Sequence, residues 1–225
     1  MSKIDPSGMK HGKQGDKIYV VLHGQQIEKA LYRPSNPRTP AQQKHRAKLA
    51  FANCLSSLLS EAIALGFSRA AGEQPGLSPR NLFVRTNWNN GAFQWNDETA
   101  LWQLCPERLL LAIGPRYVSP SMSAAIENNL LLVSCPDLCL AERYAAPDDQ
   151  LVLTAYLSDV QSLVLYHGPL RADSAQCAFE LPAAHSQMHL YAWFQATRFH
   201  RATASHAQVH PAQSSPSLYL GTFSL

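Results

Sequence analysis

The apolar positions of this chain change period part-way along. A three- and four-residue spacing dominates up to residue 66, and short runs of extended, β-prone residues take over from about residue 108. Before the helical stretch, Lys17-Ile-Tyr-Val-Val-Leu22 is dense in β-branched and aromatic residues, His23-Gly24-Gln25 supplies a turn, and 26–33 alternates loosely until Pro34. That pattern predicts a β-hairpin. Thr39 then sits where an N-cap belongs, Pro40 suits the first helical position, and Gln42 is placed to close a capping box. Ala47, Phe51, Cys54, Leu55, Leu58, Ala62 and Ile63 form one apolar stripe, so a single helix is expected from Pro40 to Leu65, with Gly66 as a left-handed stop. A second start at Ser78-Pro79, with Leu82, Phe83 and Thr86 on helical spacing, predicts a shorter helix over 79–89.

Seven strand-like runs follow, at 108–113, 129–134, 150–157, 162–166, 176–181, 187–197 and 217–223, separated by Gly, Pro, Asp and Ser clusters. Their spacing is that of an all-β sandwich of immunoglobulin-like type. The clearest alternation puts Met188, Leu190, Ala192 and Phe194 on one face and His189, Tyr191, Trp193 and Gln195 on the other. Tyr191 and Trp193 are therefore either a partner surface or packing against the helix, the packing being the plainer reading. In the last run, Leu218, Leu220 and Thr222 are expected on one face and Tyr219 and Phe223 on the other. The fold class is an α+β N-terminal part, hairpin plus long amphipathic helix, followed by the sandwich. Three regions result: a flexible basic arm at 1–16, a hairpin-helix region at 17–107, and the sandwich at 108–225 with a His-rich loop at 198–215.

Composition changes this picture in one respect. The net charge of +3 divides unevenly: residues 1–48 carry ten Lys/Arg against three Asp/Glu, leaving nine against thirteen for the rest. The basic half is thus N-terminal, and Lys29, Arg33, Arg38, Lys44, Arg46 and Lys48 are the candidates for one cationic face. Such a face attracts nucleic acid or an acidic protein surface, or is simply solvated. The N-terminus lacks the apolar core of a secretory signal and no run approaches the roughly 18 apolar residues of a membrane span, so the expected compartment is the cytoplasm. Export without such a signal is the alternative. Five cysteines without framework spacing read mostly as buried free thiols.

The stretch Asn36-Pro37-Arg38-Thr39-Pro40-Ala41-Gln42, with Arg46-Ala-Lys-Leu-Ala-Phe51 and Leu65-Gly66-Phe67, resembles the opening of an uncharacterised domain-of-unknown-function family from Bacteroidota. Asp148-Asp149 before Gln150-Leu-Val-Leu, and the closing Ser217-Leu-Tyr-Leu-Gly221, resemble the entry and the Ser-x-Tyr-x-Gly ending of that family's C-terminal immunoglobulin-like domain. The resemblance covers nearly the whole chain and implies the two-part architecture. It implies no activity. The 198–215 segment and the density of Cys and His depart from the family pattern.

Candidate chemistry is sparse. Gly8-Met-Lys-His-Gly12-Lys13-Gln14 lacks the spacing, the hydroxyl residue and the preceding strand of a phosphate loop, and no nucleophile elbow, His-Glu-x-x-His or dinucleotide fingerprint occurs. His185 with His189, and His206 with His210, each share a face by four-residue spacing, and Cys135 with Cys139 adds a thiolate pair. These are the metal candidates, against the plainer reading of an exposed His-rich loop. The expected function is a non-enzymatic structural or protein-interaction module without a cofactor, working with a protein partner or by self-assembly. A nucleic-acid-associated protein using the basic face is the alternative, and a metal-binding protein or enzyme the second.

Overall fold

The computed structural model describes residues 2–6, 8–22, 24–31, 36, 38–138, 140, 142, 144–181, 187–196 and 214–224. These residues form a mixed α+β fold of three α-helices and four antiparallel sheets, divided into two compact units, Met1–Lys44 and His45–Leu225.

The first unit is a four-stranded meander of β1 (Ser2–Ile4), β2 (Lys10–Gln14), β3 (Lys17–Leu22) and β4 (Gln25–Ala30). β3 and β4 are the expected hairpin. The segment at 1–16, expected as a flexible arm, instead supplies two of the strands. Lys-His-Gly-Lys-Gln has no apolar alternation to betray it, yet Gly15, at φ 61°, and Asp16 make the two-residue turn that returns β2 onto β3.

α1 (Pro40–Leu58) begins where expected, with the Gln43 amide donating to the Thr39 carbonyl at 2.9 Å. Thr39 Oγ1 accepts from the Gln42 amide at a long 3.4 Å, and it is the Gln43 side chain, not that of Gln42, that reaches back, to the Arg38 carbonyl. The expected single helix to Leu65 breaks at Leu59, and α2 (Ser60–Gly72) leaves at 97° to α1. The cause lies in the last turn of α1. There the Asn53 carbonyl accepts from Ser56 Oγ, Ser57 Oγ and Arg80, which compete with the helical ladder. Among the described residues no single helix is long and apolar enough to cross a membrane.

α3 (Pro79–Asn89) matches its expectation, with Ser78 Oγ accepting from the Asn81 amide. A hairpin of β5 (Phe93–Asn96) and β6 (Leu101–Leu104) follows, then β7 (Ser123–Glu127), β8 (Leu130–Ser134), β9 (Asp149–Leu157), β10 (Ser162–Leu170), β11 (Gln176–Glu180), β12 (Met188–Ala196) and β13 (Leu218–Phe223). They pair as β10-β9-β12-β13 and β11-β8-β7. The larger sheet is buried on both faces. Leu151, Leu153, Ala155 and Leu157 of β9, with Met188, Leu190, Ala192 and Phe194 of β12, meet Leu131 and Val133 of β8. On the opposite face Val152, Tyr156, Tyr191 and Trp193 pack with Ala52, Leu55, Leu59, Ile63, Phe67 and Phe83 of the helices.

Four expectations are corrected here. Tyr191 and Trp193 are both 0% exposed, so the helices cover them and they present no partner surface. The run at 108–113 is not a strand: after a 3₁₀ turn (Pro106–Arg108) its backbone bonds to non-sheet partners. The Asn87 side chain pairs with both backbone groups of Leu110, the Leu111 amide donates to Ser217 Oγ, and the Ile113 amide donates to the Gly66 carbonyl. Gly66 is therefore no stop but a crossing point inside α2, where a Cβ would lie 2.1 Å from the Leu111 carbonyl oxygen. In β13 the register against β12 shifts between Leu190 and Tyr191, at Gly221 with φ 128°. That bulge turns Phe223 to the Leu218 and Leu220 side and Thr222 to the Tyr219 side, reversing the expected faces of the last two residues.

Candidate functional site

The N-terminal sheet differs from the rest of the chain in one respect: among its described residues none is buried. Strand register sorts its side chains, since directly opposed residues share a face. Val20 opposes Ile27, Leu22 opposes Gln25, and Ile18 stands between Lys13 and Lys29. One face thus carries Ile18, Val20, Leu22 and Ile27 with Lys13 and Lys29 at its margins and Lys3 and His11 beside them. Leu22 is 52% exposed. The other face settles its own charges. Lys17 pairs with Glu28 at 2.5 Å, a bond that holds the Glu28 carboxyl below the usual range, and Lys10 sits 5.5 Å from the Tyr19 ring centroid.

The six basic residues expected to form one cationic face have separate fates. Lys29, Arg38 and Lys44 belong to the first unit, Arg46 and Lys48 to the second, and Arg33 lies outside the described residues. Lys29, Arg38, Lys44 and Arg46 are exposed. Lys48, expected in solvent, is drawn onto two indoles instead, 4.0 Å from the Trp88 ring centroid and 4.9 Å from that of Trp102. Loss of water around it lowers its pKa. Trp88 also holds the His45 ring at 5.2 Å. Beside it, a shallow cleft of about 290 Å³ is lined by Leu49, Asn53, Asn81, Val84, Arg85, Trp88 and Asn89. With His45 and Lys48 already on its indole, Trp88 is engaged within the fold and is a poor platform for a nucleobase.

Of the metal candidates, His189 and Cys135 fall among the described residues, while His185, His206, His210 and Cys139 lie outside them, as does most of the loop expected at 198–215. Its last two residues are buried and tied to β12, with the Ser215 amide donating to the Phe194 carbonyl. Among the described residues no group of three or more His, Cys, Asp or Glu side chains is arranged to hold a metal ion. His189 Nδ1 lies 3.1 Å from Thr222 Oγ1 and 3.3 Å from the Tyr219 hydroxyl, and its ring stacks on Tyr156. Burial lowers its pKa, with Glu107 opposing. Tyr191, two residues along β12, donates its hydroxyl to the Pro106 carbonyl at 2.9 Å, and beside Pro106 the Cys105 Sγ donates to Glu107 Oε1 at 3.0 Å; burial followed by that hydrogen bond pushes the thiol up. A protonated thiol and a neutral imidazole make this cluster a hydrogen-bonded seam between strands; a nucleophile needs the opposite shift.

Cys135 is buried and Cys105 with it, Cys177 is half-buried with its thiol pushed up to about 11 by burial, and Cys54 is exposed, against the expectation of a buried thiol. A buried charge cluster escaped sequence reasoning altogether. Arg171 lies fully buried with its guanidinium 3.7 Å from the Phe194 ring centroid, donates to the Tyr117 carbonyl, and pairs with Asp149, which Arg116 also approaches. Burial lowers the Arg171 pKa while Asp149 opposes the shift. Its bonds to loop carbonyls make it a structural clamp.

Comparison with protein families, with curated proteins and with solved structures finds no match.

Proposed function

We propose that this chain is a non-enzymatic, self-associating interaction module whose contact surface is the Ile18, Val20, Leu22 and Ile27 face of the N-terminal sheet. The observation that carries the reading is that this face is left partly open, Leu22 being exposed and Ile18, Val20 and Ile27 half-buried. A small sheet is stable in water when an apolar face is covered, and this one buries none of its described residues. The second unit, by contrast, fills its core from both sides of its larger sheet.

An immunoglobulin-like assignment for 108–225 belongs to the same proposal. Counting β7 to β13 as seven strands, the first, second and fifth make one sheet, and the fourth, third, sixth and seventh the other, in that order. Such an order supports a Greek-key sandwich of this class. Helices covering one outer face are the departure from it. The kinship with the Bacteroidota family, on the residues at 36–42 and 217–221, and a cytoplasmic setting are proposed with it, the latter supported by free thiols at Cys54, Cys105 and Cys177.

Sedimentation velocity of the intact chain tests the reading. The mass should rise above the 24.8 kDa monomer with concentration, and Val20→Lys should hold it at the monomer with an unchanged circular dichroism spectrum. A monomer at every concentration, or association indifferent to Val20→Lys, overturns it. The nucleic-acid alternative rests on the basic N-terminal residues Lys29, Arg33, Arg38, Lys44, Arg46 and Lys48, and labelled single-stranded DNA and double-stranded RNA at low salt separate it, because phosphate binding weakens steeply with salt. Tight, salt-sensitive binding would replace the present reading.

A further inference from the structure

A second exposed sheet face in this chain has the complementary layout. On β11-β8-β7 the outward positions form three cross-strand rows: Glu127, Leu130 and Glu180; Ala125, Leu132 and Ala178; Ser123, Ser134 and Gln176. All are exposed except Leu132 and Ser134, which are half-buried. The first row sets two glutamates either side of a leucine. The N-terminal sheet sets two lysines either side of an isoleucine, Lys13, Ile18 and Lys29. Neighbouring strands lie about 4.8 Å apart in any sheet, so the two lysines and the two glutamates are each separated by about 10 Å.

In the next rows Val20 and Ile27 stand on one surface and Ala125, Leu132 and Ala178 on the other, so the apolar centre continues on both. We infer that the N-terminal sheet of one copy docks face to face on the β11-β8-β7 surface of a second copy, Lys13 and Lys29 meeting Glu127 and Glu180 around an apolar centre. This rests on the self-association proposed above and names the opposite side of the contact.

Charge favours this head-to-tail arrangement over a two-fold one. Residues 1–44 carry eight Lys/Arg against three Asp/Glu, and residues 45–225 eleven against thirteen. A symmetric contact between two N-terminal sheets sets like charges together, whereas docking on the acidic row pairs opposites. Head-to-tail contacts propagate or close into rings. The footprint is small. Three strands of five residues span about 14 Å by 17 Å, well below the area of a stable complex, so the contact is weak and salt-sensitive.

Charge reversal tests it, on exposed positions that leave both cores intact. Lys13→Glu with Lys29→Glu, and separately Glu127→Lys with Glu180→Lys, should each abolish the association measured by light scattering at about 200 µM, a range set by the small footprint. An equimolar mixture of the two double variants should associate again, since each then offers the face the other needs. The quadruple variant should self-associate as the parent does. Association that Val20→Lys abolishes, but that ignores Glu127→Lys with Glu180→Lys, overturns this pairing and leaves the self-association reading standing. Failure of the mixture to associate also overturns the pairing, and a parent chain that never associates overturns both.

Discussion

Gly66→Ala is a demanding test of the packing, because helix propensity and tertiary contact pull in opposite directions. In an exposed helix interior, replacing Gly by Ala gains about 1 kcal/mol. At position 66 the new Cβ meets the Leu111 carbonyl oxygen at 2.1 Å, Ala112 Cα at 2.6 Å and Ala112 Cβ at 2.7 Å. The nearest two atoms are backbone, and the Ile113 amide bond to the Gly66 carbonyl holds the two segments together at this crossing. Relief therefore requires α2 to move off the 111–113 segment. Overpacking of this kind costs about 1–3 kcal/mol, more where backbone must shift, so a net loss of about 2 kcal/mol is expected after the propensity gain. Gly72, in the same helix, is the control. A Cβ there meets nothing within 4 Å, and Gly72→Ala should stabilise by about 0.5 kcal/mol. Urea unfolding followed by far-ultraviolet circular dichroism measures both, and a Gly66→Ala variant as stable as the parent would refute the crossing.

Three other outcomes follow from the same contacts. Asn87→Ala leaves both backbone groups of Leu110 without their partner in a part-buried site and should cost about 2–4 kcal/mol in urea unfolding. His189 has a burial-lowered pKa, so below its ordinary 6.5 the unfolded chain takes up the proton first. Its share of stability should be complete above that pH and decline as pH falls toward the folded pKa, and the pH dependence of the melting temperature should flatten in His189→Gln. Removal of 216–225 strips β13 and opens the β12 edge, and should abolish cooperative melting or cause aggregation.

The sequence disclosed those elements whose signals are local. α3 has its Ser78 cap, β9 and β12 their runs of large apolar residues, and the β3–β4 hairpin its β-branched strand and turn. What it hid depends on contacts between distant residues. The α1–α2 break comes from Arg80 and two serines converging on Asn53, and the periodicity of the stripe runs through it undisturbed. Leu109 to Ile113 is apolar enough for a strand, but Asn87, Ser217 and Gly66 take its backbone groups. β7 has one local sign in the sequence, Asn128-Asn129, which at positive φ make the two-residue turn onto β8. On the candidate surface, Lys29 was legible as an exposed cation, whereas its alignment with Ile18 and Lys13 needs the register of β2, a strand whose polar sequence gave no notice of itself.

Acylation of lysines in the intact chain, read by mass spectrometry at rising protein concentration, tests the central claim most directly. Lys13 and Lys29 lie on the proposed contact face, and Lys10 and Lys17 on the opposite face serve as internal controls. If that face binds a second copy, labelling of Lys13 and Lys29 falls severalfold as concentration passes through the association range, while Lys10 and Lys17 hold steady. Four lysines labelled at concentration-independent rates would contradict the account.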